Sequence, residues 1–188
     1  KAIGRYVSNM LHGKGTVVEI AGLAGSTPAI DHHEGFMSVI SACPDIRLLA
    51  KEDGAWLRSR ADERMDTLLA RFPEIDVVYA QNYRMAAGAY AAAMRRKREK
   101  GMRFVGTDAI PGEGYGVEQV LSGELDATFI YPTGGDCVMQ IAVDILNKRD
   151  FPRETILSTS VVDRDNAPIM KMQTAHISSL DEKIETMN

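Results

Sequence analysis

Cysteine is scarce in this chain: 188 residues hold two, Cys43 and Cys137. They could close one disulfide at most, so a disulfide framework is excluded and the fold must rest on its core. Each borders an apolar helical pattern, so two buried thiols are expected. No apolar run approaches the ~20 residues of a membrane-spanning helix, and the first residues carry no leader-peptide pattern. Direct membrane insertion of this fragment is therefore not expected. Charge of one sign is also lacking. The 22 Lys and Arg against 26 Asp and Glu leave a net −4, which argues against a nucleic-acid surface. The one basic run, Arg95-Arg96-Lys97-Arg98-Glu99-Lys100, follows a helical pattern and precedes Gly101, where cations offset the negative end of a helix.

Signatures of chemistry are missing too. There is no G-x-S-x-G elbow and no nucleophile paired with a base, so the chain does not read as an enzyme. Gly22-x-x-Gly25 follows a strand but lacks the G-x-G-x-x-G spacing, so it reads as turn chemistry and no cofactor is expected. Gly112-Glu113-Gly114-Tyr115-Gly116 is likewise a loop. Asp31-His32-His33-Glu34 invites a metal, but adjacent histidines on a helix point about 100° apart. With no Cys or His cluster nearby in sequence to complete a shell, no metal is expected.

What is present is ordinary globular material, 45% hydrophobic and 26% charged, enough for one well-buried domain with an appendage. Strand and helix signals alternate. Strands are predicted over 15–21, 46–50, 76–81, 102–106 and 126–131, with an extended stretch over 154–162. Between them lie a helix opened by a Thr27 cap and Pro28, and helices over 57–72, 85–97, 116–121 and 136–147. Strands separated by helices mean βαβ units: an α/β fold, a three-layer αβα Rossmann-like arrangement around a parallel sheet.

One strand, Val77-Val78-Tyr79-Ala80-Gln81, ends on the uncharged amide of Asn82. Open α/β sheets hold their ligands at the carboxyl ends of such strands, and an amide that both donates and accepts suits a hydroxyl-rich ligand. Trp56, Asp108 and Tyr131 sit at comparable strand ends. Each has a plainer reading as well: Asn82 as a helix N-cap, Trp56 as a packing residue, Asp108 as an Asx-turn before Pro111. In the tail, Met170, Gln173, Ile177, Leu180, Ile184 and Met187 recur at spacings of 3, 4, 3, 4 and 3. That is a heptad seam with one polar position, compatible with a coiled coil or with a helix packed on its own domain. Lys1 is not an initiator methionine and the tail shows no helix stop, so the chain is expected to be cut from a longer one.

The stretches Gly22-Leu23-Ala24-Gly25-Ser26-Thr27-Pro28-Ala29 with Glu34-Gly35-Phe36, Ala55-Trp56, Pro73-Glu74-Ile75-Asp76, Ala80-Gln81-Asn82 with Met85-Ala86, Val105-Gly106-Thr107-Asp108 and Gly123-Glu124-Leu125-Asp126-Ala127-Thr128 are a set. In this order and spacing they resemble the type I periplasmic binding proteins, especially the ribose-binding group, whose fold LacI-type regulator cores share. The resemblance implies that residues 1–162 form about half of a clamshell, the carboxyl-terminal lobe. It also implies that the helix over 134–148 belongs mainly with the other lobe, leaving Val138, Ile141, Ala142, Ile145 and Leu146 uncovered. A homo-oligomer, through that face or through the tail helix, is the expected consequence.

The same resemblance carries a ligand role to Trp56, Asn82 and Asp108: an indole for a sugar's C–H face, an amide, and a carboxylate for two hydroxyls. At His32 and Tyr131 the ribose group tends to have arginine and glutamine, so these are candidate contacts at which the chain departs from the pattern. The expected ligand is a small sugar-like molecule, with no nucleic acid as partner. Residues 163–188 then read as a linker and signalling helix. They resemble the sensor regions of hybrid two-component histidine kinases, which lie outside the inner membrane in the periplasm. A solute-binding protein of a sugar ABC transporter and a LacI-type regulator core are the alternatives.

Overall fold

The computed structural model describes residues 1–173. The chain begins with helix α1 (Ala2–Met10), an element that the alternation of strands and helices did not reveal. Strand β1 (Lys14–Ala21), helix α2 (Thr27–Ile40), strand β2 (Asp45–Asp53) and helix α3 (Arg58–Arg71) follow. Next come β3 (Val77–Ala80), α4 (Tyr83–Arg95), β4 (Arg103–Val105), α5 (Gly116–Ser122), β5 (Ala127–Phe129), α6 (Gly135–Leu146) and β6 (Val161–Asp163). The α/β reading holds. β3, β4 and β5 are shorter at both ends than the apolar runs that suggested them, β1 and β2 extend beyond theirs, and of the stretch 154–162 only its end pairs.

The strands form a six-stranded sheet in the order β2-β1-β3-β4-β5-β6. All neighbours run parallel except β5 and β6, which are antiparallel. The chain moves outward from β1 in one direction to β2, then crosses back to β3 and onward. The carboxyl ends of β1 and β3 are thus a topological switch point, where doubly wound sheets bind ligands.

Successive residues face opposite sides, so Val17, Val77, Tyr79, Val105 and Phe129 join Val7 of α1 and Phe36 and Ile40 of α2 in one core layer. Val18, Ile20, Val78 and Phe104 face Met65 and Leu68 of α3 with Ala86, Ala89 and Ala93 of α4 in the other. The alanine-rich α4 approaches α3 so closely that a Cβ on Gly88 would stand 2.2 Å from the Arg58 carbonyl oxygen.

The basic run closes α4 as expected, with Arg95 in its last turn and Arg96 as its C-cap, and it has a second role. α4 ends at Arg95, and the arginines serve α3: Arg95 pairs with Asp62, Arg96 with Asp66, and Arg98 donates to the carbonyls of Leu69, Phe72 and Pro73 at its carboxyl end. The cap of α2 differs from the expected one. Ser26 holds that position, without a side-chain bond to the helix, and Thr27 is already helical. Cys43 and Cys137 are free and half-buried rather than buried.

α6 has no buried residue: of the apolar positions expected to lack cover, Val138, Ile145 and Leu146 are exposed, and Ile141 and Ala142 are half-buried. β6 leads into a helical stretch over residues 167–173. Ala167 of that stretch is buried, and Met170, the first heptad position, packs against the α3–α4 core. The heptad positions Ile177, Leu180, Ile184 and Met187 lie outside the described residues.

Candidate functional site

The switch point is braced by buried polar side chains. Glu19, in the middle of β1, is fully buried. One carboxylate oxygen lies 2.6 Å from His33 Nδ1 of α2, and the other accepts from Gln81 Nε2 at 2.7 Å. Gln81 follows β3. Its amide nitrogen also donates to the Ala29 carbonyl, and its carbonyl accepts from the Gly22 N–H at 2.9 Å. A carboxylate out of water survives only with such partners. The network therefore fixes the ends of β1 and β3 to the first turn of α2, and it positions the residues that come next in sequence.

Asn82 is one of these. Its Oδ1 accepts from the Met85 N–H at 2.7 Å, so it is the N-cap of α4, and its Nδ2 donates to the Trp56 carbonyl at 3.4 Å. One amide proton and further acceptor capacity stay available. Trp56 follows β2 and is half-buried, and its ring covers the Gly22 backbone so closely that any Cβ there would meet it. Ala55, Trp56 and Asp108 have φ of +51°, +62° and +66°. The other described non-glycine residues at positive φ, His12, Lys97 and Lys148, directly follow the C-caps of α1, α4 and α6, where a left-handed residue is routine. Ala55, Trp56 and Asp108 stand beyond strand ends instead, the kind of strain that concentrates at binding sites. The Asp108 carboxyl is half-buried, has no hydrogen bond among the described residues, and has its pKa raised by burial.

His32 and Tyr131 come together around a cavity of about 590 Å³ between α1, α2 and the ends of β4 and β5, a volume suited to a small molecule. Their rings stack, 5.8 Å between centroids and 19° between planes. His32 Nδ1 lies 3.2 Å from the hydroxyl of Tyr79, which with Thr107 also lines the cavity. Trp56, Asn82 and Asp108 do not line it, so the five candidates divide into two neighbouring groups on the carboxyl side of the sheet. Reading the sequence did not find Tyr79, Thr107, Glu19 or Gln81. A polar residue inside an apolar strand, as in Val17-Val18-Glu19-Ile20, was the available signal.

Burial lowers the pKa of His32, against the opposing pull of Asp31. A histidine with a depressed folded-state pKa favours folding while neutral. Its contribution is present above its unfolded value of about 6.5 and is lost as pH falls through the folded value. Asp108, with its raised pKa, works in the opposite sense at lower pH. In urea titrations below pH 6.5, His32→Gln should therefore lose less stability than the parent on acidification. Parallel curves for the two proteins would exclude His32 as the cause.

A family model described as "Periplasmic binding protein domain" matches residues 1–150. The chain belongs to that family. Among periplasmic binding proteins, the xylitol-binding protein of Mycolicibacterium smegmatis (strain ATCC 700084 / mc(2)155) is 30% identical over 168 residues, covering 88% of this chain and 47% of that protein. The ribose import binding protein RbsB of Escherichia coli (strain K12) is 30% identical over 128 residues, 68% of this chain and 42% of that one. The solved fructose-binding periplasmic domain of hybrid two-component system BT1754 superimposes with a TM-score of 0.92 at 56% identity, covering 99% of this chain and 62% of the other. The chain thus spans about half the length of the curated relatives it matches.

Proposed function

We propose that this periplasmic binding protein domain is the carboxyl-terminal lobe of a sugar sensor. It would bind a small sugar against a second lobe and pass closure of the pair to a membrane-bound two-component signalling protein. The observation that carries this reading is the 56% identity, over nearly the whole chain, with a fructose-binding periplasmic domain of a hybrid two-component system. The polar and aromatic residues around the switch point support it. Trp56, Asn82 and Asp108 would form one wall of the pocket, with His32 and Tyr131 beside them. Residues 1–162 would be the lobe, and 163–188 the linker and signalling helix. The bare apolar face of α6 would lie against the second lobe, or against a second copy where that lobe is lacking. The location would be the periplasm. Calorimetry of the two-lobed protein with fructose, ribose and xylitol should give saturable binding of at least one of them. Absence of heat from all three, with the protein folded, would sink the proposal.

Transport is a second reading, favoured by the import binding proteins among the curated relatives. A reading frame that runs beyond Asn188 into a membrane span and a kinase core supports sensing, and a stop codon within a few residues supports transport.

A further inference from the structure

We infer that Tyr79 is a positioning residue that holds His32 as a neutral imidazole with its proton on Nε2, so that His32 meets the ligand as a hydrogen-bond donor. The inference rests on the sugar-binding reading only for what the donor is used for.

Tyr79 is fully buried in the central strand β3, with its hydroxyl end at the cavity. A buried phenol needs an acceptor for its O–H. Among the described residues its hydrogen-bond partner is His32 Nδ1, at 3.2 Å. The phenol keeps its proton, because burial and the nearby Glu19 and Asp108 carboxylates raise its pKa well above the ordinary range. Nδ1 must then accept, which leaves the ring's proton on Nε2. A protonated ring would turn an N–H toward the hydroxyl oxygen, reversing the bond and taking away the acceptor of the buried O–H. Tyr131, stacked on the imidazole, restrains it from the other side.

The surroundings do not reverse this. Apart from the two tyrosines, the ionisable side chain facing His32 is Asp31 on its own helix, and burial outweighs its pull toward the protonated ring. Thr107, Thr155 and Thr159 line the rest of the cavity wall without charge. A neutral ring with a fixed N–H suits a hydroxyl or ring oxygen of a sugar. The same geometry makes binding pH-dependent: affinity is present while His32 is neutral and falls as the ring protonates.

Two measurements test this. The first uses nitrogen-15 NMR of the histidine side chains in this chain. His32 should show a single Nε2–H tautomer, and Tyr79→Phe, which removes only the hydroxyl, should give a mixture of tautomers. A proton on Nδ1 in the parent, or an unchanged tautomer in Tyr79→Phe, overturns the inference. The second is calorimetry of the two-lobed protein with fructose between pH 5 and pH 8. Tyr79→Phe should bind about five- to tenfold more weakly, the loss of one buried hydrogen bond, with the acid limb of the profile displaced. Equal affinity and an unmoved acid limb overturn the donor role. If the parent takes up no monosaccharide, the sugar-binding reading falls, and the NMR result still decides Tyr79.

Discussion

Replacing Gln81 by leucine is expected to lower the unfolding free energy by about 3–5 kcal/mol, the cost of removing one partner from a buried charged group. Gln81 donates to the Glu19 carboxylate and to the Ala29 carbonyl while accepting from the Gly22 N–H. Leucine fills the space and satisfies none of them. His33 alone would then hold Glu19, and the Gly22 N–H would be orphaned. His33→Ala should cost less, because the His33 side chain is 27% exposed and water can reach the carboxylate it vacates, whereas Gln81 is sealed in. Urea denaturation read by the fluorescence of Trp56 measures both variants, with an unchanged slope as the sign that the same folded state is compared. A loss under about 1 kcal/mol for Gln81→Leu, the size of one ordinary hydrogen bond, would show that the network is not the brace it looks to be.

Asp108→Ala, in the two-lobed protein, should weaken sugar binding by about 2–5 kcal/mol, the usual loss when one partner of a buried charge-assisted hydrogen bond is truncated. The carboxyl has no hydrogen bond to its own chain among the described residues, so it is free to take ligand hydroxyls. Its backbone is left-handed, at φ +66°, which alanine tolerates poorly. Asp108→Asn separates the two effects, since asparagine keeps the shape and accepts that conformation. If Asn restores the affinity, the loss in Ala came from the turn. If both variants bind like the parent, Asp108 is not a ligand.

The layers of the fold were legible because βαβ alternation leaves apolar runs that few other folds produce. α1 was not, since it has no side-chain cap and buries only Gly4 and Val7, which leaves little local signal for a helix. The stretch over 154–162 is free of helix and pairs only at its end in β6, since β-branched composition shows that a segment can be extended, not that a neighbour is in register to pair with it. At the site, Asn82 carries both of its readings in part. Its side chain caps α4 and ties down Trp56, yet keeps donor and acceptor capacity. His32 and Tyr131 were legible only as departures from a family pattern. Their stacking, and the phenol beneath them, depend on β3, β5 and α2 meeting in space, which no local spacing encodes. Glu19 and Gln81 lie 62 positions apart in sequence and are joined only by the β1–β3 crossover.

The outermost strands bear on how the protein behaves in a crowded compartment. A sheet's unpaired border is a template for another strand, and from there for fibrils. β2, on one border, has charge at Asp45, Arg47, Lys51, Glu52 and Asp53, so a second chain laid along it would bring like charges into register. β6, on the other, is only Val161–Asp163, too short to seed a stack. Both borders are closed to growth by strand addition. The apolar face that α6 exposes is helical, with its backbone groups already paired within the helix, so it offers no template for strand addition.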